Sequence, residues 1–290
     1  MISVVIPSYN RADRIRRSAE SVLNQTYQEI ELIIVDDGSS DNTEEVVKSL
    51  NDNRVRYVRQ ENQGACVARN TGISCSRGEY IAFQDSDDAW HADKLEKQLA
   101  TLEKYHADVC FCRMQRFDYA SEKDVFFPDL PEGIVAYESL LTESLVSTQT
   151  ILAKRSVCEK YQFTAGLKAR QDWDWIIRAA QDHVFCFDAS VLVDVYLQND
   201  SITSGQNHEK IIALLQRFYD VYQDRFEQYP AFQASLLEKI AFQKTIVSSA
   251  YAEEYEKKYK ITKSKADLAK MILSRLHLLH MFYAVKLKKQ

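Results

Sequence analysis

The stretch that decides the fold reads Tyr80-Ile81-Ala82-Phe83-Gln84-Asp85-Ser86-Asp87-Asp88. Its first half is short, apolar and preceded by Gly78, a pattern typical of a buried strand. Three carboxylates follow at the carboxyl end of that strand, where open α/β sheets bind ligands. Because like charges this close repel, ionising all three requires a compensating cation. A polar turn with a helix cap is the alternative, so the interpretation depends on the rest of the chain.

Strand and helix patterns alternate along the first 105 residues. Apolar, β-branched runs predict four strands, at residues 2–6, 30–35, 55–59 and 80–84, each leading into residues at helical spacing. This alternation predicts an α/β fold, with a parallel sheet and helices on both of its faces. The loop after the first strand, Ser8-Tyr9-Asn10-Arg11, contains no glycine, which disfavours both a dinucleotide-binding fingerprint and a Walker loop.

Further polar candidates lie near other strand ends. Asp36 follows the second strand, where a carboxylate can accept hydrogen bonds from a base or a ribose. Asp41 and Glu44 have the spacing of a capping box, so Asp41 is interpreted as a helix cap. Arg69, on a predicted helix over residues 65–75, is either a surface ion-pair residue or a contact for phosphate. Carboxylates at two strand ends of one sheet edge favour a ligand site there.

Four motifs together resemble glycosyltransferase family 2. In order over residues 1–115 they read Ile6-Pro7-Ser8-Tyr9-Asn10, Val35-Asp36-Asp37-Gly38-Ser39-Ser40-Asp41, Asn62-Gln63-Gly64 through Ala68-Arg69-Asn70, and Asp85-Ser86-Asp87-Asp88. The resemblance implies the GT-A fold, a Rossmann-like mixed sheet flanked by helices that binds a nucleotide-sugar. It also implies a divalent metal, Mn²⁺ or Mg²⁺, and inverting sugar transfer from a nucleoside diphosphate, with a UDP-sugar as the expected donor.

The same resemblance implies roles for individual residues. Those implied in nucleotide-sugar binding are Pro7, Tyr9, Asp36, Arg69, Asp85 and Ser86. Those implied as metal ligands are Asp87, Asp85 and His208. Asp88 either substitutes for a ligand or acts from behind one. A hard divalent ion binds carboxylate oxygens together with substrate phosphates, and it neutralises charge that develops on the leaving nucleoside diphosphate.

A second acidic motif reads Arg170-Gln171-Asp172-Trp173-Asp174-Trp175. Members of the family commonly have Glu-Asp at the start of such a helix, so Gln171 departs from the pattern. Asp172 aligns with the catalytic base, which takes the proton of the acceptor hydroxyl. The neighbouring tryptophans are expected to desolvate this carboxylate and raise its pKa. A helix N-cap is the alternative for Asp172, and Asp174 is the second candidate base.

Patterns are weaker after residue 106. Residues 107–115 are predicted as a strand in which Cys110 and Cys112 face the core. Residues 117–133 are predicted as a loop that borders the acceptor site. Residues 184–197 are predicted as β-structure with a turn at Asp188-Ala189.

The predicted end of the chain is helical. Residues 199–205 form a predicted loop before His208, which is either a surface residue or close to the metal. Three helices are predicted, over residues 211–226, 231–259 and 264–287. We therefore expect a catalytic domain over residues 1–205, with a nucleotide-sugar-binding half (1–115) and an acceptor-side half (116–205), and a helical extension over residues 206–290.

Charge is unevenly distributed. The chain has a net charge of −5, but residues 261–290 carry seven basic residues against Asp267 alone, so that end is +6 and residues 1–260 are −11. This distribution disfavours nucleic-acid binding and indicates that the end meets something anionic. A basic helix with Leu268, Ile272, Leu276, Leu279 and Tyr283 at spacings of three and four fits a membrane surface. A core-packing helix with a solvated basic face is the alternative.

Cysteine usage and hydropathy point to a cytosolic setting. The six cysteines form no CxxC pair, no signal peptide precedes Met1-Ile2-Ser3, and no apolar run approaches the roughly 20 residues of a membrane span. We expect a cytoplasmic protein, peripheral at the inner face of the cell membrane.

The sequence thus predicts an inverting, metal-dependent glycosyltransferase that extends a polysaccharide or a lipid-linked glycan; homo-oligomerisation is left open. A non-catalytic nucleotide-sugar-binding or scaffold subunit is the alternative, and Gln171 is the residue that favours it. A Rossmann oxidoreductase is disfavoured because the glycine-rich turn is missing.

Overall fold

A computed structural model describes residues 1–118, 123–196, 208–247, 251–276 and 279. Its strands are β1 (Ile2–Ser8), β2 (Ile30–Asp36), β3 (Val55–Arg59), β4 (Tyr80–Phe83), β5 (Ala89–Trp90), β6 (Val109–Asp118), β7 (Lys123–Phe127), β8 (Gly133–Ile134), β9 (Leu152–Lys154) and β10 (Phe185–Tyr196). Its α-helices are α1 (Ile15–Leu23), α2 (Thr43–Lys48), α3 (Ala65–Cys75), α4 (Lys94–Tyr105), α5 (Tyr137–Thr142), α6 (Arg155–Lys160), α7 (Gln171–Ala179), α8 (His208–Val221), α9 (Pro230–Val247), α10 (Ala252–Thr262) and α11 (Lys265–Arg275).

All ten strands join one mixed sheet. Its order is β3-β2-β1-β4-β9-β6-β10-β5, with β7 paired to β6 and β8 paired to β10. The first four strands are parallel to one another, as predicted, whereas β9 runs antiparallel to both β4 and β6. Leu32 and Ile34 of β2 face one apolar core, and Ile33 and Val35 face a second core beside α3. Helices therefore cover both faces, as the sequence predicts.

Helix α3 packs unusually close to the sheet because of one glycine. A Cβ atom at Gly72 would lie 2.2 Å from Cγ1 of Val5 in β1, closer than any side chain tolerates. Only hydrogen fits at this point, so α3 lies directly against β1. Arg69 lies three residues earlier on the same helix, one turn nearer the carboxyl ends of the strands.

Several local predictions are wrong. The segment predicted as a loop contains β7, which forms an antiparallel pair with the end of β6. The predicted turn at Asp188-Ala189 is instead a register shift within the continuous strand β10. Asp188 makes this possible, because its carboxylate accepts hydrogen bonds from Thr101 Oγ1 at 2.9 Å and from the Ser190 amide at 2.9 Å. The long predicted helix over 231–259 is two helices, α9 and α10.

The predicted capping box is also wrong. Helix α2 begins at Thr43, and Asp41 accepts hydrogen bonds from the Thr43 amide and from the Ala12 amide. Glu44 pairs with Lys48 at 2.6 Å instead of turning back toward the cap. Asp41 therefore joins the start of α2 to the loop that follows β1.

The chain divides into two compact units. The first comprises Met1–Leu140 with Ser144–Ser201, and the second comprises Leu141–Glu143 with Ile202–Gln290. Within the second unit, an ion network joins α9, α10 and α11. Glu238 accepts from Lys258 and Lys270 at 2.6 Å each, and Lys258 also pairs with Asp267 at 2.8 Å. Burial alone raises the pKa of Asp267, but hydrogen bonds from Lys258, Thr262 and Ser264 outweigh it and lower that pKa to about 2.

A lysine is buried in the core of the first unit. Lys94 is 0% exposed, its Nζ donates to Gln98 Oε1 at 2.6 Å, and the same atom lies 3.9 Å from the ring centroid of Trp90. Burial lowers the pKa of Lys94 to about 8, because the charged form loses its hydration. The thiols of Cys110 and Cys112 are buried in the same core, as predicted.

We predict that this lysine makes stability depend on pH. Between pH 8 and 10.5 the native state binds fewer protons at Lys94 than the unfolded chain, so stability rises with pH across that window. Relative to Lys94→Met, wild-type protein should gain roughly 3 kcal/mol in free energy of unfolding between pH 7 and 10.5. Urea unfolding at both pH values measures the difference. Lys97→Met, a half-exposed lysine of the same helix, is the control and should show no such change.

Candidate active site

The acidic run after β4 is held by helix α1. Ser18 donates its hydroxyl to the carbonyl oxygen of Asp85 at 2.8 Å, and the Trp90 amide donates to Ser21 Oγ at 3.1 Å. Ser86 between the aspartates is 8% exposed. The run therefore has a defined conformation at the carboxyl end of β4.

Asp88 is an anchor of the sheet. Its side chain is 3% exposed, and its two oxygens accept from Gln149 Nε2 at 3.0 Å and from the Tyr196 amide at 3.2 Å. Burial, and then the neighbouring charges of Asp85 and Asp87, raise the pKa of this carboxyl well above its usual value. Asp88 thereby ties the end of β10 to the acidic run, behind the other two aspartates.

Asp87 lies among arginines of the first loop and helix. Its Oδ2 is 4.0 Å from Arg11 Nε, and its carbonyl oxygen accepts from the guanidinium of Arg17. Arg17 in turn lies 3.8 Å from the ring centroid of Tyr196. Burial and the charge of Asp85 raise the pKa of Asp87, and Arg11 partly offsets that rise.

Sequence reasoning missed these arginines. Arg11, Arg14 and Arg17 recur every three residues, from the loop after β1 into the first turn of α1. That spacing was the signal available for them in the sequence.

Arg69 connects the acidic run to helix α7. Its guanidinium donates to Asp85 Oδ1 at 2.9 Å and to Gln171 Oε1 at 2.6 Å, and Gln171 Nε2 donates to the Leu167 carbonyl at 2.7 Å. Arg69 is 6% exposed and lies 5.4 Å from the ring centroid of Phe163. Arg69 is therefore a buried ion-pair residue, and its contact with phosphate stays a prediction.

Asp172 is the second residue of α7. The N-cap position belongs to Arg170, whose backbone is left-handed with φ of 53°, so the N-cap interpretation of Asp172 is wrong. Asp172 Oδ1 accepts from the Trp173 amide at 2.8 Å. Burial raises the pKa of Asp172, while that hydrogen bond and the charges of Arg69 and Arg170 partly offset the rise. A carboxylate tuned in this direction is a better proton acceptor than a solvated one.

Asp174, the second candidate base, is hydrogen-bonded to Thr164 and Arg178. Its Oδ2 accepts from Thr164 Oγ1 at 2.6 Å and from both Nε and Nη2 of Arg178, at 3.1 and 2.8 Å. The side chain is 8% exposed. This carboxylate fastens α7 to the preceding loop.

The predicted nucleotide-binding residues of β1 and β2 lie on adjacent strands. In the sheet register Pro7 pairs with Val35, and Ser8 pairs with Asp36. Asp36 is 0% exposed and accepts from the Ser39 amide at 2.7 Å and from the Tyr57 hydroxyl. Tyr9 is 48% exposed, which leaves its ring accessible.

Three buried polar atoms lie at this edge of the sheet without a hydrogen-bond partner in the described parts of the chain. They are Ser8 Oγ, Gln84 Nε2 and Arg69 Nε. Buried polar groups are almost always paired in native proteins. Such atoms at the ends of β1 and β4 favour a bound polar ligand.

His208 begins helix α8 of the second unit, and its Nδ1 lies 2.8 Å from Gln243 Oε1. The predicted loop before it, residues 199–205, lies outside the described residues. Among the residues that are described, no group of three or more His, Cys, Asp or Glu side chains is arranged to hold a metal ion. Metal ligation by His208 therefore stays a prediction.

Comparison with known proteins identifies the family. The model of "Glycosyl transferase family 2" matches residues 3–160, more than half of the chain. The chain belongs to glycosyltransferase family 2. The resemblance drawn from its motifs is therefore confirmed, and so is the assignment as a glycosyltransferase.

Two curated relatives of this family 2 chain are similar over most of their length. TuaG of Bacillus subtilis, whose name assigns it to teichuronic acid biosynthesis, is 32% identical over 71% of this chain and 82% of the relative. WfgD of Escherichia coli, named a UDP-Glc:α-D-GlcNAc-diphosphoundecaprenol β-1,3-glucosyltransferase, is 29% identical over 78% of this chain and 87% of the relative. Other relatives are longer proteins, and the chain spans only 25% to 43% of five of them.

Solved structures share the fold. TarS of S. aureus in complex with UDP-GlcNAc has a TM-score of 0.69 at 18% identity, over 94% of this chain and 79% of that one. The mannosyltransferase PcManGT of Pyrobaculum calidifontis, in complex with GDP-Man and Mn²⁺, has a TM-score of 0.62 at 17% identity, over 100% and 88%. The predicted GT-A fold is confirmed.

We predict that the charge at position 171 controls the pKa of Asp172. Gln171→Glu adds a negative charge beside Asp172 and also neutralises Arg69, so both effects raise the pKa of the Asp172 carboxyl. Titration of the ¹³Cγ signal of Asp172 by NMR measures this change. Gln181→Glu, at an exposed position two residues after the end of α7, is the control for a remote charge. A Gln171→Glu shift that is downward, or equal to that of the control, would contradict the prediction.

Proposed function

We propose that this chain is an inverting, metal-dependent glycosyltransferase that moves a sugar from a UDP-sugar to a glycan or lipid-linked acceptor. The observation that carries the proposal is the bridge Asp85–Arg69–Gln171, which links a donor-side carboxylate to the helix of the proposed base. Inverting transfer requires a group that binds the leaving diphosphate and a base for the attacking hydroxyl, on opposite sides of one anomeric carbon.

The donor is proposed to bind at the ends of β1, β2 and β4. Tyr9 offers an exposed ring for the base, and Asp36 marks the end of the next strand. The unpaired Ser8 Oγ and Gln84 Nε2 lie at the same edge and can bind polar atoms of the nucleotide. A UDP-sugar is favoured because WfgD is named for UDP-Glc and TarS was solved with UDP-GlcNAc.

The carboxylates of the acidic run are chemically suited to bind a divalent ion. Asp85 and Asp87 are adjacent carboxylates, and their crowding contributes to the raised pKa of Asp87, a strain that a cation would relieve. Two protein carboxylates completed by substrate phosphates are typical of Mg²⁺ and Mn²⁺ sites. We propose Asp87 and Asp85 as ligands, and metal ligation by His208 stays a prediction from the sequence. When bound, the ion would stabilise negative charge on the departing diphosphate.

Asp172 is the proposed base. As the acceptor oxygen attacks the anomeric carbon, the bond from that carbon to the diphosphate breaks on the opposite face, and Asp172 takes the hydroxyl proton. Arg69 holds Gln171, the preceding residue, and so orients the start of α7. Gln171 keeps the hydrogen bond to Arg69 without the charge of a glutamate.

A scaffold subunit that binds nucleotide-sugar without turnover is the second candidate, and Gln171 favours it. We predict that wild-type protein with Mn²⁺ releases UDP from UDP-glucose or UDP-GlcNAc, and that Asp172→Asn lowers this rate by about 100-fold or more. UDP binding, followed by thermal shift, should survive in that variant. Asp182→Asn removes a half-exposed carboxylate and is the control.

The outcomes separate the candidates. Thermal shift by nucleotide-sugars with no UDP release would support the scaffold. Full turnover by Asp172→Asn would refute the assigned base, and Mn²⁺-independent turnover would refute the metal.

We further propose that residues 1–205 form the catalytic domain, with its donor half at 1–115 and its acceptor half at 116–205, and that residues 206–290 form a helical extension that contacts the membrane surface. No helix among the described residues has the length and apolarity to span a bilayer. On α11 and just beyond it, Ile272 and Leu276 are 47% and 60% exposed. Lys270 and Arg275, in contrast, pair internally with Glu238 and Glu256.

We predict that these apolar side chains contribute to vesicle binding. The double variant Ile272→Ser/Leu276→Ser should float less with anionic liposomes than wild-type protein, because apolar area buried in the interface is lost. Val221→Ser, at a residue 59% exposed on α8, is the matched control. Equal flotation of all three proteins would defeat the membrane proposal without affecting the enzymatic one.

A further inference from the structure

An arginine on β6 shares the sheet edge of the candidate site. Arg116 is in register with Val195 of β10, and the next pair, Phe117 and Tyr196, stacks with ring centroids 5.4 Å apart. The Tyr196 amide donates to Asp88, so this end of β10 is tied to the acidic run. Arg116 therefore lies one register position from the strand end that Asp88 holds.

The guanidinium of Arg116 is partly buried and has few partners among the described residues. It lies 5.1 Å from the ring centroid of Phe127, and within the described ranges it makes no hydrogen bond and no ion pair. Burial lowers its pKa, and the charges that counteract this are those of Asp172 and Asp88. An arginine presents five donors, which in a partly buried site normally have partners.

Another arginine of the same strand shows the contrast. Arg113 donates from Nε to the Pro128 carbonyl at 3.1 Å and from Nη2 to the Leu130 carbonyl at 3.1 Å, and it also pairs with Asp129 at 3.4 Å. Arg113 is thus a structural residue of the β6 region. Arg116 has the same chemistry, but no residue within the described ranges accepts a hydrogen bond from it.

We propose that Arg116 binds a phosphate of the acceptor and thereby selects acceptors that carry a diphosphate beside the sugar; this inference rests on the proposed function. A guanidinium matches phosphate oxygens with two parallel hydrogen bonds. The acceptor side is favoured because Asp172, the proposed base for the acceptor hydroxyl, is among the charges that act on Arg116. The donor-side aspartates already have Arg11, Arg17 and Arg69 as neighbours.

The test uses undecyl diphosphate, a lipid diphosphate without a sugar, and full-length protein saturated with UDP and Mn²⁺. Calorimetry should show binding to the wild type and an affinity about 10-fold or more lower for Arg116→Gln, as expected when a charge-assisted hydrogen bond is lost. Arg116→Lys should recover part of the affinity, because lysine keeps the positive charge but cannot make two parallel hydrogen bonds. Arg113→Gln, checked for folding by thermal melting, should bind like the wild type.

Three results would overturn the inference. Two of them are no binding to the wild type and equal binding by Arg116→Gln. The third is displacement of undecyl diphosphate by UDP in a separate titration begun without UDP, together with a matching loss of UDP affinity in Arg116→Gln, which would place Arg116 on the donor diphosphate. UDP release from UDP-sugars in water is measured on the same preparations. Its absence from the wild type would refute the proposed function itself, whereas intact release with unchanged Arg116→Gln binding refutes only the acceptor assignment.

Discussion

The contact on which the candidate site depends is the double hydrogen bond of a nearly buried guanidinium, that of Arg69. A buried arginine is costly unless it is paired, and Asp85 supplies the charge while Gln171 supplies a neutral acceptor. Three distant parts of the sequence therefore have to meet for any one of them to be stable: helix α3, the acidic run and the start of α7. This one side chain links Asp85 to the residue that precedes the proposed base.

Close backbone packing and hydrogen bonds from α1 support the same arrangement. Gly72 lets α3 lie against β1 at a distance that no larger residue allows, and Arg69 is one turn away on that helix. On the α1 side, Ser18 binds the acidic run itself and Ser21 binds Trp90, two residues after it. Polar contacts to backbone atoms, rather than apolar packing alone, give the run its conformation, which is what a site that binds charged groups requires.

Much of this could be predicted from the sequence because it is local. The first four strands, their parallel order and the carboxylates at their ends follow from apolar runs and short-range spacing. The features that could not be predicted depend on pairings distant in sequence. Strand β7 is stabilised by its ladder to β6, and β10 continues through residues 188–191 because Asp188 finds Thr101 on α4. The roles of Asp88 and Asp174 as anchors likewise depend on partners that no spacing reveals.

Because Asp88 anchors the end of β10, mutagenesis of the acidic run needs careful interpretation. An alanine scan would treat its three aspartates as equivalent, and loss of activity at each would be taken as evidence of three metal ligands. Removal of Asp88, however, leaves the Tyr196 amide and the Gln149 side chain without their acceptor and releases the last residue of β10. Loss of function there would report a displaced strand, so only a probe of metal affinity, and not a rate, can distinguish a ligand from the residue that supports it.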